Sequence, residues 1–370
     1  MVTESLAART GNSSGAADQS WAAPVAAAAQ VGHRVEPALC QRTPTRCEAR
    51  TRLYRQGVLA AEGFPVADIS DHLTEDGVTV WLDLLSPEPD DLSVLVEEFE
   101  LHPLAVEDAV HRHERPKLDR YRDHLFMSAY SAHLDATTSE LATSELAAFI
   151  TPRALITVRK DDKFSLDGLL KRWDDSPDLA THGVAFLLHG LIDDIVDGHF
   201  AAVQVLDEQI EGLQDQLFTD TGHGTDVQRR SFELRKSLVL LRRVVLPMRE
   251  VVNSLMRRDL HLIDEEMSHY YQDIYDHVLR ASEWTESLRD LVTTILETRL
   301  TIQGNRLNEI MKKLTSWAAI IAIPTAVTGF YGQNVPYPGF QQEWGFLCSI
   351  LLIVLIGGGL YVVFKRKQWL

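Results

Sequence analysis

The sequence predicts an α/β domain followed by a long helical stalk and two C-terminal transmembrane helices. Three observations carry this expectation. Residues 51–183 alternate short β-branched and aromatic runs with turn formers and short helical periods. Residues 184–313 are dominated by helix formers with few breakers. Residues 314–370 contain two apolar runs free of charge, at 314–331 and 344–364.

Residues 1–50 are rich in Ala, Ser and Gly. Such a tract buries too little apolar surface to offset its ordering entropy, so a disordered extension is expected. Glu4 and Asp18 precede the weakly apolar stretch 22–31, which argues against a secretory signal. Residues 78–84 (VTVWLDL) read as a strand bounded by turn formers. Leu92, Leu95, Val96 and Phe99 recur at helical spacing after Pro87 and Pro89, so a helix is expected over 90–100. Residues 124–133 and 146–159 suit strands, the second broken at Thr151-Pro152.

Beyond residue 184 the pattern is helical. Val184–Phe218 forms one long period, and residues 219–225 (TDTGHGT) break it. A second helix is expected over 226–256. A third starts near Ile263 and meets no proline before Pro324 and no glycine but Gly304. At 1.5 Å per residue, a helix of about 60 residues runs roughly 90 Å, far beyond the globular norm. Its stripe of Ile274, Val278, Leu288, Leu291, Val292, Ile295 and Leu296 suits packing against the other two helices, with self-association as the alternative.

The runs 314–331 and 344–364 hold 18 and 21 residues. Roughly 20 apolar helical residues cross a bilayer core. Lys312 and Lys313 precede the first run, and Lys365, Arg366 and Lys367 follow the second. Both clusters fall on one side of a hairpin, which the positive-inside rule makes cytoplasmic. The N-terminal part and the 365–370 tail are then cytosolic, in a plasma or inner membrane, and loop 332–343 faces outward. Tyr337 and Trp344 suit interfacial positions. No ionisable residue lies within either run, which disfavours a proton-coupled carrier. With two spans per chain, a pore must form between subunits.

One face of the first span reads Asn308, Met311, Thr315, Ala318, Ala322, Thr325, Gly329. Small, weakly polar faces mark helix contact and also line narrow aqueous paths. Pro324 is a kink site in mid-span. Gly357-Gly358-Gly359 in the second span costs helix propensity, and close approach to another helix is the simplest compensation.

Charge bounds the partners. Of 36 basic and 53 acidic residues, only Lys365, Arg366, Lys367 and Glu343 fall in 314–370, leaving 33 and 52 before them, a formal −19. Such a balance attracts cations and lacks the basic footprint that nucleic acid requires. Cys40, Cys47 and Cys348 have no zinc-finger or disulfide spacing. His102, His111 and His113 read as surface residues of a polar loop. No phosphate-binding loop, nucleophile elbow or HExxH motif is present, so no enzyme is expected.

Tyr331-Gly332-Gln333-Asn334, directly after the first span, resembles the Gly-Met-Asn signature of the CorA family of magnesium and divalent-metal transporters, with Gln333 in place of methionine. Residues 308–313 (NEIMKK) followed by Leu314-Thr315 resemble that family's approach to its pore helix. His102-Pro103-Leu104, Glu107-Asp108 and Arg115-Pro116-Lys117 resemble its cytosolic block, and residues 273–277 (DIYDH) its stalk. The matches cover most of residues 80–370. The resemblance implies a funnel-shaped homopentamer that conducts Mg²⁺ passively. It places Gly332, Gln333 and Asn334 in the selectivity ring, and Asn308, Met311, Leu314 and Thr325 along the pore. Lys312, Lys313, Lys365, Arg366 and Lys367 would form the basic mouth. Asp108 and Asp273 would bind regulatory Mg²⁺ between subunits and close the pore when internal Mg²⁺ is high. The same architecture carrying Zn²⁺, Co²⁺ or Ni²⁺ is the first alternative. A membrane-anchored sensor or scaffold that transports nothing is the second.

Overall fold

The computed structural model describes residues 47–111, 115–218, 224–257, 260 and 262–370. Strands β1 (Glu48–Arg55) and β2 (Val58–Glu62) form a hairpin. Its turn residues Gln56 and Gly57 both have positive φ, 49° and 81°, which a two-residue hairpin turn of this hand demands. Glycine is also required for space, since a Cβ at residue 57 would lie 2.2 Å from the Pro177 carbonyl oxygen. Because β1 begins at Glu48, the sheet starts inside the stretch expected to be an extension; residues 1–46 lie outside the described residues.

Next come α1 (Ile69–Leu73), β3 (Val78–Leu85), α2 (Ser93–Phe99), α3 (Pro103–Val110), β4 (Lys117–Arg120), β5 (Leu125–Leu134), β6 (Leu141–Ile150) and β7 (Ala154–Arg159). The strands make one sheet in the order β2-β1-β3-β7-β6-β5-β4. Among the described strands only β3 and β7 pair in parallel. The expected break at Thr151-Pro152 is the β6–β7 turn, where Thr151 and Ala154 exchange hydrogen bonds.

Strand period two divides the sheet between two layers. Val80, Leu82, Leu84, Phe149 and Ile156 pack under α1, α2 and α3. Trp81, Met127, Ala148 and Leu155 point the other way, against α4 (Asp167–Asp174), α6 (Val184–Phe218), α7 (Gly224–Leu255) and α8 (Glu265–Tyr331). The short α5 (Pro177–Ala180) links α4 to α6. Trp81 meets Trp173 of α4 edge to face at 5.4 Å. Gly190 of α6 makes room for that indole, since a Cβ there would sit 2.6 Å from Trp173 Nε1. The parallel pair is locked by a buried ion pair: Arg159 donates to both oxygens of Asp83, with its shortest contact 2.7 Å, and Thr157 donates to Asp83 at 2.7 Å. Removing one member of such a pair costs about 3–5 kcal/mol, because the other charge is left buried alone.

Helices α6, α7 and α8 form the stalk. Leu206, Ile210 and Leu213 of α6 meet Leu238, Leu241 and Val245 of α7 and Leu288, Val292 and Ile295 of α8. Ile274 and Val278 pack lower, against the sheet-side core. The α8 stripe is therefore used within the chain. Helix α8 holds 67 residues, about 100 Å of continuous helix. Its burial against α6 and α7 stops at Ile295, and the next buried residue is Ser316. In between, Leu300, Leu307, Ile310 and Met311 are all more than half exposed. Helix α9 (Glu343–Arg366) returns antiparallel beside the end of α8. These are two helices long and apolar enough to cross a membrane, with apolar stretches left almost wholly unburied by the rest of the chain.

Candidate functional site

The last third of α8 has two faces with different occupants. Ser316 is buried, and Ile320, Ile323, Pro324, Val327 and Tyr331 are half-buried. They recur at three- and four-residue steps, which makes a single stripe facing α9. The matching stripe on α9 is Gly345, Ser349, Ile353, Gly357, Leu360 and Phe364. Glycine brings the chain close at one point: a Cβ on Gly345 would lie 2.4 Å from the Gly339 carbonyl oxygen. At Gly357, Gly358 and Gly359 a Cβ would meet nothing within 4 Å. The close approach expected of that triplet is therefore not made within the chain.

The second face is Asn308, Met311, Thr315, Ala318, Ala322, Thr325 and Gly329, and every one of these residues is exposed. Leu314, beside it, is 62% exposed. The small polar face is thus not the face that packs α8 on α9. Thr325 and Thr328 turn their hydroxyls inward, donating to the carbonyls of Ile321 and Pro324 at 3.1 and 2.7 Å. These bonds go to carbonyls beside Pro324, whereas the carbonyl that loses its N–H partner to the proline is that of Ile320.

At the end of α8 the Gly332 N–H donates to the Thr328 carbonyl at 2.8 Å, closing the helix. Its φ of −83° suits any residue, but a Cβ would come within 3.0 Å of that same carbonyl. Gln333 and Asn334 follow, both exposed. Among the described residues, the Asn334 side chain has no hydrogen-bond partner, so its amide neither caps the helix nor builds the turn. The loop is held instead by an aromatic cluster of Phe330, Tyr331, Tyr337 and Phe340. Tyr337 donates to the Tyr331 carbonyl at 3.0 Å. Its hydroxyl is therefore bonded inside the loop. Trp344 stays half exposed.

At the opposite end, Lys313 of α8 and Lys365 of α9 line the same pocket, so the two basic clusters meet at one level. Lys313 also pairs with Glu309 at 3.0 Å.

Asp108 and Asp273 lie on separate elements, and each has a partner within the chain. Asp108 of α3 pairs with Lys117 at 2.6 Å. Burial would lower the Lys117 pKa, but its hydrogen bonds to Asp108 and Asp119 outweigh this and raise it. Asp273 is exposed on α8, 3.9 Å from His277. His102 caps α3, its Nδ1 accepting from the Leu104 N–H, and the His111 ring hydrogen-bonds the Glu107 carbonyl; His113 lies outside the described residues.

One group went unread in the sequence. Asp193 and Asp197 of α6 stand with His277 of α8, their ligating atoms all within 4.8 Å of one another. Arg172 reaches Asp193 at 3.3 Å and Asp197 at 3.8 Å and also pairs with Asp194. Burial pushes these three carboxyls above the usual carboxylate range, with Arg172 pulling the other way. The i, i+4 step from Asp193 to Asp197 and the DIYDH run were the available signals.

The family described as "CorA-like Mg2+ transporter protein" matches residues 76–366. The chain belongs to the CorA family. It is a membrane protein of divalent-metal transport and not an enzyme, which sets aside the anchored scaffold. The cobalt/magnesium transport protein CorA of Thermotoga maritima is 28% identical over 312 residues, 83% of this chain and 88% of that one. The zinc transport protein ZntB of Pectobacterium carotovorum is 25% identical over 261 residues, 69% and 77% of the two chains. The solved structure of the CorA magnesium transporter from Methanocaldococcus jannaschii superposes with a TM-score of 0.69 at 21% identity, over 87% of this CorA chain and 98% of that one. That likeness shows the fold: α/β domain, long helix and two apolar C-terminal helices.

Proposed function

We propose that this CorA chain carries Mg²⁺ passively, down its electrochemical gradient, through a pore between copies of itself. The copies form a homopentamer with both termini cytoplasmic. The observation that carries the reading is the free polar face of the first span. Asn308, Met311, Leu314 and Thr325 are exposed, while α9 occupies another side of the same helix. A small polar face turned away from its own hairpin partner suits a shared aqueous path. Met311 and Leu314 supply a hydrophobic constriction, where dewetting can gate the path.

Gly332, Gln333 and Asn334 are the selectivity ring. Mg²⁺ prefers octahedral oxygen and gives up water reluctantly. A ring of Asn334 carbonyl oxygens accepts hydrogen bonds from the hydrated ion without stripping it, which keeps binding weak enough for conduction. Borderline metals recruit His or Cys, and the exposed face contains neither. Co²⁺ and Zn²⁺ remain the second reading, favoured by the cargoes named for the Thermotoga and Pectobacterium relatives. Cytosolic Mg²⁺ is the regulator. Bridging Asp108 of one copy to Asp273 of the next, it relieves carboxylate repulsion and holds the assembly closed.

The test is Mg²⁺ flux into proteoliposomes loaded with a magnesium dye, wild type against Asn334→Ala. Wild-type flux that disappears in the variant, with the oligomer intact, supports the ring. Flux of Co²⁺ or Zn²⁺ without Mg²⁺ changes the cargo and keeps the path. Equal flux in the two proteins sinks the role of Asn334.

A further inference from the structure

Where the basic ends of α8 and α9 meet, a pocket of about 220 Å³ opens between them, lined by Lys313, Trp317, Tyr361, Lys365 and Leu370. Each helix contributes one ammonium and one aromatic with a polar tip. Lys313 and Trp317 are one turn apart on α8, as Tyr361 and Lys365 are on α9. Lys365 Nζ lies 5.8 Å from the Tyr361 ring centroid. Trp317 and Tyr361 are 51% and 40% exposed. Among the described residues, neither the Trp317 indole N–H nor the Tyr361 hydroxyl has a hydrogen-bond partner. Four donor groups thus line one space, and among the described residues the one acceptor bonded to any of them is Glu309, one turn toward the stalk from Lys313. That chemistry selects an anion with several acceptor oxygens.

We propose that this pocket binds the phosphate of an anionic membrane phospholipid. Depth separates a lipid from a free anion. The pocket sits where the charge-free runs 314–331 and 344–364 end, at the level of an aromatic belt. Above it, Ile321 continues the Lys313–Trp317 row and Val354 the Lys365–Tyr361 row, 62% and 61% exposed. The phosphate's neighbour on the membrane side is therefore apolar surface of acyl-chain character. Basic pockets between spans on the cytoplasmic side hold anionic headgroups for these reasons. The proposal rests on the reading of α8 and α9 as membrane spans, and not on which ion is carried.

The test uses the full-length protein in neutral detergent. Tryptophan fluorescence is titrated with phosphatidylglycerol or phosphatidylcholine bearing brominated chains, and Trp317→Phe identifies the Trp317 component. Phosphatidylglycerol is expected to quench that component at far lower lipid fraction than phosphatidylcholine. Lys313→Gln and Lys365→Gln should each weaken it about fivefold and the double variant about thirtyfold, while the double Lys→Arg variant retains it. The single variants decide the matter if the double one fails to assemble. Equal quenching by the two lipids, or a phosphatidylglycerol preference that survives both glutamines, overturns the pocket. Displacement by inorganic phosphate as effective as by unbrominated phosphatidylglycerol overturns the lipid as the source. No quenching by either lipid overturns the membrane reading as well.

Discussion

His199 of α6 is fully buried beneath the sheet, with Nε2 2.7 Å from the Tyr130 carbonyl. Contact with a carbonyl fixes the tautomer: Nε2 carries the hydrogen, and the buried Nδ1 has no partner. Burial pushes its pKa down from 6.5 to about 4, against the pull of the carbonyl. An unfolded chain binds the proton near pH 6.5, whereas the folded site refuses it until about pH 4. The contribution is therefore constant above about pH 6.5 and is lost as pH falls toward 4, by roughly 3 kcal/mol in all. His199→Gln keeps a donor for Tyr130 and removes the titration. Its thermal midpoint, followed by fluorescence, should fall less than that of wild type between pH 7 and pH 5, as pH-linked stability requires. Equal slopes would mean that the imidazole charges in place at no cost.

Helix α8 shows most plainly what elements reveal of themselves. Its start is capped: the Asp264 carboxylate accepts from the Met267 N–H at 2.8 Å and pairs with His182. Partial burial would raise the Asp264 pKa, but these bonds hold it below the usual value. Asp264→Ala is expected to cost about 1 kcal/mol and to fray the first turn, read as faster amide exchange at residues 265–268 while residues 281–295 keep their protection. Uniform exchange along the helix would argue against a local cap. The long helices and the paired apolar runs were legible because their signals are local and repeated over many residues. Strand β1 was not. Arg52 looks like a surface residue, yet it is buried, donating to both oxygens of Asp174 at 3.0 Å and to Glu62 at 2.9 Å. A partner 122 positions away accounts for that buried arginine, and no local window contains it. The candidate site divides in the same way. The row from Asn308 to Thr325 and the Gly332–Asn334 triplet are contiguous and readable. The meeting of Asp193 and Asp197 with His277 needs two helices to be brought side by side.

At the scale of the molecule, the unburied stretch of α8 beyond Ile295 is the surface that the proposed assembly would cover. Leu300, Leu307 and Leu314 would leave large apolar surface in contact with water or with one another's copies. Five-fold assembly through this region predicts a native mass, after subtraction of detergent, of five times the 41.6 kDa chain. The proposed Mg²⁺ control adds a second expectation. Limited proteolysis should slow on adding Mg²⁺, and Asp273→Asn should abolish that protection without changing the particle mass. Protection that persists in the variant would point to Asp193, Asp197 and His277 as the ligands instead.

The bracing of α8 has a mechanical corollary. From Ile295, where α6 and α7 let go, to Tyr331 is about 54 Å of helix with Gly304, Pro324 and Gly329 as its soft points. A rod of that length clamped at one end converts angle into distance: a one-degree tilt at the clamp displaces the far end by roughly 1 Å. Under the proposed control by Mg²⁺, ion binding near the base would not need to rearrange any residue at the mouth. A change in the seating angle of the rod would be enough to move its far end.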